Sequence, residues 1–226
     1  MRIAVLGTGP VGRTLAARFA AVGHQVVIDT RDVAATLAQT GPDAWGDSPF
    51  PVWLDEHPDL ELHDFTNAAA AAELIVNATN GAASLSALAQ AGAGNLAGKV
   101  LVDVSNPLDF SGGMPPTLFT KETDSLGEQI QRAFPAAKVV KTLNTMTAAV
   151  QADPGQLAGG DHTVFVSGDD PGAKAVVTDL LTSLGHTDVI DLGDITTARG
   201  VEMYLPLWLR VWGALGTPIF NIKVVR

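Results

Sequence analysis

The residues best placed for chemistry gather near the N-terminus. Gly7-Thr8-Gly9-Pro10-Val11-Gly12 spells G-x-G-x-x-G between a short apolar run at 3–6 and an amphipathic stretch from 11 to about 22. The neighbours give the motif its meaning: a strand before it and a helix after it bring a helix N-terminus against a pyrophosphate. Gly7 permits the tight turn, Gly9 lets backbone approach the phosphates, and Gly12 lets the helix pack close to the strand. Gly23-His24 then turns the chain into a second apolar run at 25–28, which ends in Asp29-Thr30-Arg31. With Thr30 at the tip, Thr30 and Arg31 form a clamp for the 2′-phosphate of NADP. With Asp29 at the tip, its carboxylate repels that phosphate. The pattern alone leaves both registers open.

Three more polar groups fall where strands are expected to end: Asn77-Ala78-Thr79-Asn80, Ser105-Asn106, and Asn144-Thr145-Met146-Thr147. Each alone reads equally well as a cap for the next helix. Three of them beside a nucleotide fingerprint point to a site, because ligands of open parallel sheets lie at the carboxyl ends of the strands.

Acid–base machinery is missing from the pattern. Tyr204 is the only tyrosine and has no lysine four residues later, which removes the Tyr/Lys pair of short-chain dehydrogenases. His24, His57, His63, His162 and His186 share no metal-ligand spacing and read as surface or turn residues; no metal site is expected. Asp109, Asp124 and Asp161 have no evident basic partner, and the chain has no cysteine, so disulfides, thiolate catalysis and Cys-ligated zinc are excluded together. No catalytic residue is assigned. A nucleotide site without such a constellation suits hydride transfer between two cofactors, which carry the chemistry themselves. It equally suits a nucleotide sensor without turnover.

Strands are expected at 3–6, 25–28, 60–63, 73–78, 99–104 and 138–142, alternating with helices at 11–22, 32–38, 82–91 and 125–134 and an Ala-rich one after 63. That alternation specifies an α/β fold, a Rossmann-like doubly wound parallel sheet with a small C-terminal strand and helix appendage. Residues 41–58 read as an ordered loop with a short helix, and 108–123 as irregular. Beyond 150 come a strand at 163–167, a helix at 170–184 opened by the Asp170-Pro171 cap, and a strand at 188–190. A last helix runs from about 196, with a kink at Pro206.

The 226 residues, 46% of them hydrophobic, suffice for one α/β core and an appendage. A net charge of −10 argues against nucleic acid or an anionic membrane as partner. The run at 204–220 is interrupted by Pro206, Arg210 and glycines, so it does not read as a membrane span. No charged–apolar–cleavage pattern opens the chain, and a cytoplasmic location is expected.

The sequence resembles the F420-dependent NADP oxidoreductases. The likeness runs nearly end to end: GTGPVGRTLAARFA at the start, Thr30-Arg31, KTLNTMTA at 141–148, SGDD at 167–170 with Ala173-Lys174, and the closing DLGDITTARGVEMYLPLWLR. The resemblance implies NADP(H) and the deazaflavin coenzyme F420 as cofactors, and hydride transfer between them. It implies that Gly7, Thr8, Gly9, Pro10, Val11 and Gly12 cradle the pyrophosphate with Arg13 close by, and that Thr30 and Arg31 take the 2′-phosphate. The loop Asn144–Ala148, with Asn144, Thr145 and Met146, would lie beside the nicotinamide, and Asn77, Ala78, Thr79, Ser105 and Asn106 at the other strand ends complete the expected cofactor-binding set. The deazaflavin would stack over it in a cleft closed by the C-terminal helix near Met203, Leu207 and Trp208. Residues 1–150 would then be the NADP-binding domain, with 151–226 completing the sheet and covering the acceptor pocket. The DVSNP segment at 103–107 also resembles the reductase domain of the STEAP metalloreductases, which pass electrons from NADPH to a flavin, so a flavin or other acceptor stays open.

The apolar residues of 196–220 surround that helix instead of forming one stripe, which implies burial on most sides and a homodimer. For the clamp, Arg31→Ala is expected to raise the KM for NADPH and leave that for NADH nearly unchanged, because a guanidinium binds a dianionic phosphate through charge-assisted bonds. Steady-state kinetics with both nucleotides check this; equal losses would refute it.

Overall fold

The computed structural model describes residues 1–42 and 46–226. The glycine-flanked fingerprint folds as expected: β1 (Arg2–Leu6), α1 (Pro10–Ala21) and β2 (Gln25–Thr30) form one βαβ unit. The chain continues through α2 (Val33–Leu37), α3 (Phe50–Asp55), β3 (Glu61–Asp64), α4 (Phe65–Ala71), β4 (Leu74–Asn77), α5 (Gly81–Ala91), α6 (Ala93–Leu96) and β5 (Val100–Asp103). The loop expected over 41–58 contains α3, and its residues 43–45 lie outside the described residues. Next come β6 (Leu108–Asp109), β7 (Thr117–Leu118), α7 (Leu126–Ala133), β8 (Lys138–Thr142), α8 (Ala148–Ala152) and β9 (Thr163–Ser167). The chain ends with α9 (Pro171–Leu184), β10 (Asp188–Gly193), α10 (Ala198–Met203) and α11 (Leu205–Leu215).

Eight strands form one sheet in the order β10-β9-β8-β5-β4-β1-β2-β3. The near-continuous apolar runs of β1 and β4 mark them as central, and both faces are covered. On one face Leu15, Ala16 and Phe19 of α1 join Val177, Leu181 and Leu184 of α9. On the other, Ala68, Ala69, Leu88 and Ile130 come from α4, α5 and α7.

Several expectations need correction. The sheet is not wholly parallel, since β9 runs antiparallel to β8. Between them the chain makes only the one-turn helix α8 and two 3₁₀ turns, with no long crossover to carry it to the other end, so it re-enters reversed. The fourteen-residue α9 is such a crossover, and β10 is parallel to β9. The segment at 108–123 is not all irregular, because β6 and β7 pair as a small antiparallel ladder. Pro206 does interrupt the last helix: α10 and α11 meet at Tyr204, which keeps helical angles and accepts the Trp208 amide at 3.0 Å, and Pro206 sits in the first turn of α11, where its missing amide costs nothing. Asp170 caps α9 as expected, accepting the Ala173 amide at 2.8 Å.

The C-terminal segment is less buried than its composition suggested. Leu205 is buried, but Leu207 and Leu215 are each 58% exposed. Trp208 stacks on Phe220, 5.3 Å between centroids, as the tail folds back along β9. Two histidines expected at the surface are buried, their rings edge to face at 6.1 Å. His186 Nε2 donates to the Gln151 carbonyl at 3.0 Å, and its Nδ1 has no partner among the described residues. No helix among them is long and apolar enough to cross a membrane.

Burial holds the His186 pKa down at about 4. The unfolded chain, near 6.5, therefore binds the extra proton first as pH falls, and stability is lost between pH 6.5 and 4. Urea unfolding is expected to lose up to about 3 kcal/mol over that window through this group. His186→Gln, which keeps a donor toward Gln151, should flatten the loss; identical pH profiles would exclude the histidine as its source.

Candidate functional site

Helix α1 starts at Gly9 with no side-chain cap, and Pro10 occupies its first turn. The amides that follow have no intrahelical partner and lie at the positive end of the helix dipole. The three glycines divide the work as their spacing implied. Gly7 has φ +117°, and a Cβ there would sit 2.8 Å from the Ala78 carbonyl oxygen. A Cβ on Gly12 would lie 1.9 Å from the Gly7 carbonyl oxygen, whereas one on Gly9 meets nothing within 4 Å. The turn is thus packed tightly from below and open above Gly9, which is the cradle a pyrophosphate needs.

At the end of β2 the register is decided by burial. Asp29 is enclosed, Thr30 is half-buried and Arg31 is exposed, so Thr30 and Arg31 form the tip. The Thr30 hydroxyl lies 2.9 Å from that of Thr36, and Asp32 caps α2 through the Ala35 amide. Arg13 is not aimed at the turn's open side. Its Nε donates to the Thr8 carbonyl at 2.8 Å and its Nη1 to Ser48 at 2.6 Å, with the guanidinium 5.3 Å from the Phe50 ring centroid.

A cleft of about 270 Å³ runs from Gly9, Pro10 and Val11 to the ends of β4 and β5, where Ala78, Thr79, Ser105 and Asn106 line it. The structure brings these expected residues together. It places Asn77, Asn144, Thr145 and Met146 differently: all four are buried and support the cleft from behind. Asn77 Nδ2 donates to Asp103 at 2.9 Å, and its Oδ1 accepts from the Thr79 hydroxyl at 2.7 Å. Asn144 Nδ2 donates to Asn106 Oδ1 and to the Val201 carbonyl, each at 3.1 Å. Leu143 takes φ +60°, and Gln151 holds this turn by donating to the Leu143 and Met146 carbonyls at 2.9 and 3.1 Å.

Beneath the cleft lies a buried charge cluster. Lys141 Nζ is 2.8 Å from Asp103 Oδ2, 3.0 Å from Glu202 Oε1 and 2.5 Å from the Ser105 carbonyl. Burial works against the ammonium, but the two carboxylates together hold its pKa above the usual lysine value. Asp103 Oδ1 accepts from the Ser105 hydroxyl at 2.6 Å, and Glu202 accepts the Leu126 and Gly127 amides at the start of α7, at 2.8 and 3.0 Å. Sequence reasoning missed Asp103, Lys141, Glu202 and Gln151. A charge inside each of two apolar runs, KVLVDV and KVVKTL, was the available signal. Gly81 was missed too: a Cβ there would be 1.9 Å from the Asn106 carbonyl oxygen, so it sets how closely the two cleft loops approach.

The comparisons fit this geometry. A family model described as NADP oxidoreductase, coenzyme F420-dependent, matches residues 2–107, from β1 past the cleft loop after β5. A crystal structure of an Arthrobacter sp. FB24 protein assigned as an F420-dependent NADP-reductase is 66% identical, with 99% of both chains covered and a TM-score of 0.95. The chain belongs to the F420-dependent NADP oxidoreductase family. The F420-dependent NADP reductase of Methanothermobacter marburgensis is 29% identical over 223 residues, 93% of this chain and 92% of its own length. Metalloreductase STEAP3 of Rattus norvegicus is 29% identical over 212 residues, and this chain spans 38% of that protein's length. Members of this family are NADP-dependent oxidoreductases, and its cofactors are NADP(H) and F420.

Gly9→Val should abolish NADP(H) binding and leave the melting temperature nearly unchanged, since its side chain enters only the open space. Gly12→Ala should lose both, because its Cβ collides with backbone. Calorimetric titration alongside thermal melts distinguishes the two; a Gly9→Val protein that still binds would make the turn purely structural.

Proposed function

We propose that this protein transfers a hydride between NADP(H) and the deazaflavin coenzyme F420. One observation carries the reading. The cleft over the glycine turn shares Asn80, Gly81, Leu108 and Phe110 with a second cavity of about 560 Å³, walled by Leu85, Phe110 and Phe119. The half over the glycine turn offers main-chain amides with the Thr79, Ser105 and Asn106 side chains to a nucleotide, and the half walled by Phe110 and Phe119 offers aromatic faces to a planar second ring. Met203, Leu207 and Trp208 are not among the residues lining either cavity, so we assign the acceptor wall to the β6–β7 segment.

In this reading the turn from Gly7 to Gly12, with Thr8, Gly9, Pro10 and Val11 exposed to the ligand, binds the pyrophosphate through main-chain amides. Thr30 and Arg31 bind the 2′-phosphate, and Ala78, Thr79, Ser105 and Asn106 align the nicotinamide half. Asn77, Asn144, Thr145 and Met146 keep those loops in place. The two cofactors, when bound, supply the hydride donor and acceptor. This chain contributes alignment and exclusion of water, which accounts for the lack of an acid–base pair in the cleft. Residues 1–150 form the NADP-binding part, and 151–226 complete the sheet and brace the cleft through Val201 and Glu202. Exposed Leu207 and Leu215 on α11 suit a second copy of the chain, hence a homodimer.

The likeness to STEAP3 favours a flavin as second reading. Mixing NADPH with F420, and separately with FMN or FAD, tests both. Bleaching of the oxidised F420 absorbance at enzyme-dependent rates is the expected result. Turnover with the flavins alone would support the second reading, and binding of NADPH without turnover of any acceptor would refute both.

A further inference from the structure

Asp29 takes no part in the reading above, yet it is the most poorly accommodated polar group at the nucleotide site. Its exposure is 0%, and neither carboxyl oxygen has a hydrogen-bond partner among the described residues. The nearby Gly7 amide donates to the Asp29 main-chain carbonyl at 3.1 Å instead. The next two residues are Thr30 and Arg31, to which the 2′-phosphate is assigned.

The groups around it offer little compensation. On its own side Arg31 is exposed, and Asp32 is turned to the Ala35 amide. Across on β3, His63 stands opposite Asp29 in register and pairs with Glu61 at 2.9 Å. Asp64 beside it caps α4 through Asn67. On β1 the register partner is the apolar Leu6. A carboxyl so placed is much costlier to hold ionised than neutral. Burial pushes its pKa well above the usual carboxylate range, the Gly7 amide opposing and the Asp64 charge adding to the rise.

We propose that Asp29 is a specificity-determining residue for the 2′-phosphate: it carries its proton while NADP(H) is bound, and its ionisation rejects the phosphate with little effect on NAD(H). The inference rests on the assignment of Thr30 and Arg31 to that phosphate. Ionised Asp29 sets a buried negative charge directly behind the Thr30–Arg31 tip and repels the dianion through protein rather than solvent, where charges are weakly screened. Linkage is reciprocal, so the phosphate must in turn hold the proton on Asp29. NADP(H) binding therefore takes up a proton wherever the free protein is partly ionised there.

Calorimetric titrations of NADP⁺ and NAD⁺ at pH 6 to 9, in two buffers of different ionisation heat, test this on the wild type and Asp29→Asn. Asparagine is close in shape to the neutral acid, and Asp29→Ser serves as a second neutral variant. The wild type should bind NADP⁺ roughly tenfold more weakly at the alkaline end and take up protons on binding. Both variants should keep their affinity and lose that uptake, and NAD⁺ should show neither effect in any of the three proteins. The phosphate's own ionisation, near pH 6, is common to all three and cancels in the comparison. Identical proton uptake and pH dependence in wild type and variants would overturn the role of Asp29. Failure of the wild type to prefer NADP⁺ over NAD⁺ at any pH would instead overturn the Thr30–Arg31 assignment, and with it this inference.

Discussion

A single buried ammonium organises the cleft. Lys141 has 0% exposure, and so does Asp103; Glu202 completes the cluster from the C-terminal helix α10. Removing three charges from water costs several kcal/mol per ion, roughly, so proximity alone could not hold them there. What offsets the cost is that the remaining valences are used. Asp103 also accepts from Asn77 and Ser105, and Glu202 accepts two amides at the N-terminus of α7, where the helix dipole favours an anion. The cluster thereby ties β4, β5, β8, α7 and α10 together at the level of the ligand. The cleft loops are fixed before a cofactor arrives, which is the condition for catalysis by alignment.

The second constraint is electrostatic. A protein with net charge −10 must bind anions, and it does not do so with a basic field. Beyond about 8 Å the far charges are screened at physiological salt, so only the immediate shell counts. On the proposed assignment that shell consists of free amides at the start of α1 and of Arg31. Arg13, the other guanidinium near the turn, braces the turn against the loop at Ser48 and the rings of Phe50 and Trp53. Affinity here comes from oriented dipoles on a rigid turn with few formal charges. A single buried acid such as Asp29 can therefore weigh heavily.

Much of this was legible in the chain. The G-x-G-x-x-G turn, six parallel strands and the polar ends of β4 and β5 follow from local rules: apolar runs of strand length, caps, and glycine where backbone must approach. Long-range pairing was not legible. The reversal of β9 goes with what the connection after β8 folds into, one short helix and two 3₁₀ turns where the equally long connection after β9 forms the crossover helix α9, and the strand pattern does not report that difference. Asn77 and Asn144 look like ligand-facing residues because polar side chains at strand ends often are, but each has found an internal partner. Lys141 was hidden because a strand's pattern shows that a charge is odd without showing who neutralises it; Glu202 is sixty-one residues away. The histidines failed for the same reason, since His162 meets Asn221 of a tail that only the tertiary fold brings back, and His186 lies against His162 and the Gln151 carbonyl.

The C-terminal segment and the β6–β7 segment have exchanged the parts their sequences suggested. An apolar helix ending the chain invites the role of lid, and a Gly- and Pro-rich stretch that of a passive loop. Instead α10 works from beneath, through Glu202 and the Val201 carbonyl, while Phe110 and Phe119 of the loop wall the cavity we assign to the acceptor. Rigid scaffold below and variable loop above is the arrangement by which one fold serves several acceptors. It also explains why identity does not separate the candidates: an archaeal F420-dependent NADP reductase and STEAP3 each match at 29% over more than nine-tenths of this chain. The family model itself spans residues 2–107, which hold the glycine turn and the ends of β4 and β5. On the proposed assignment the choice between a deazaflavin and a flavin falls to the wall around Leu85, Phe110 and Phe119, a handful of residues on which overall likeness carries almost no weight.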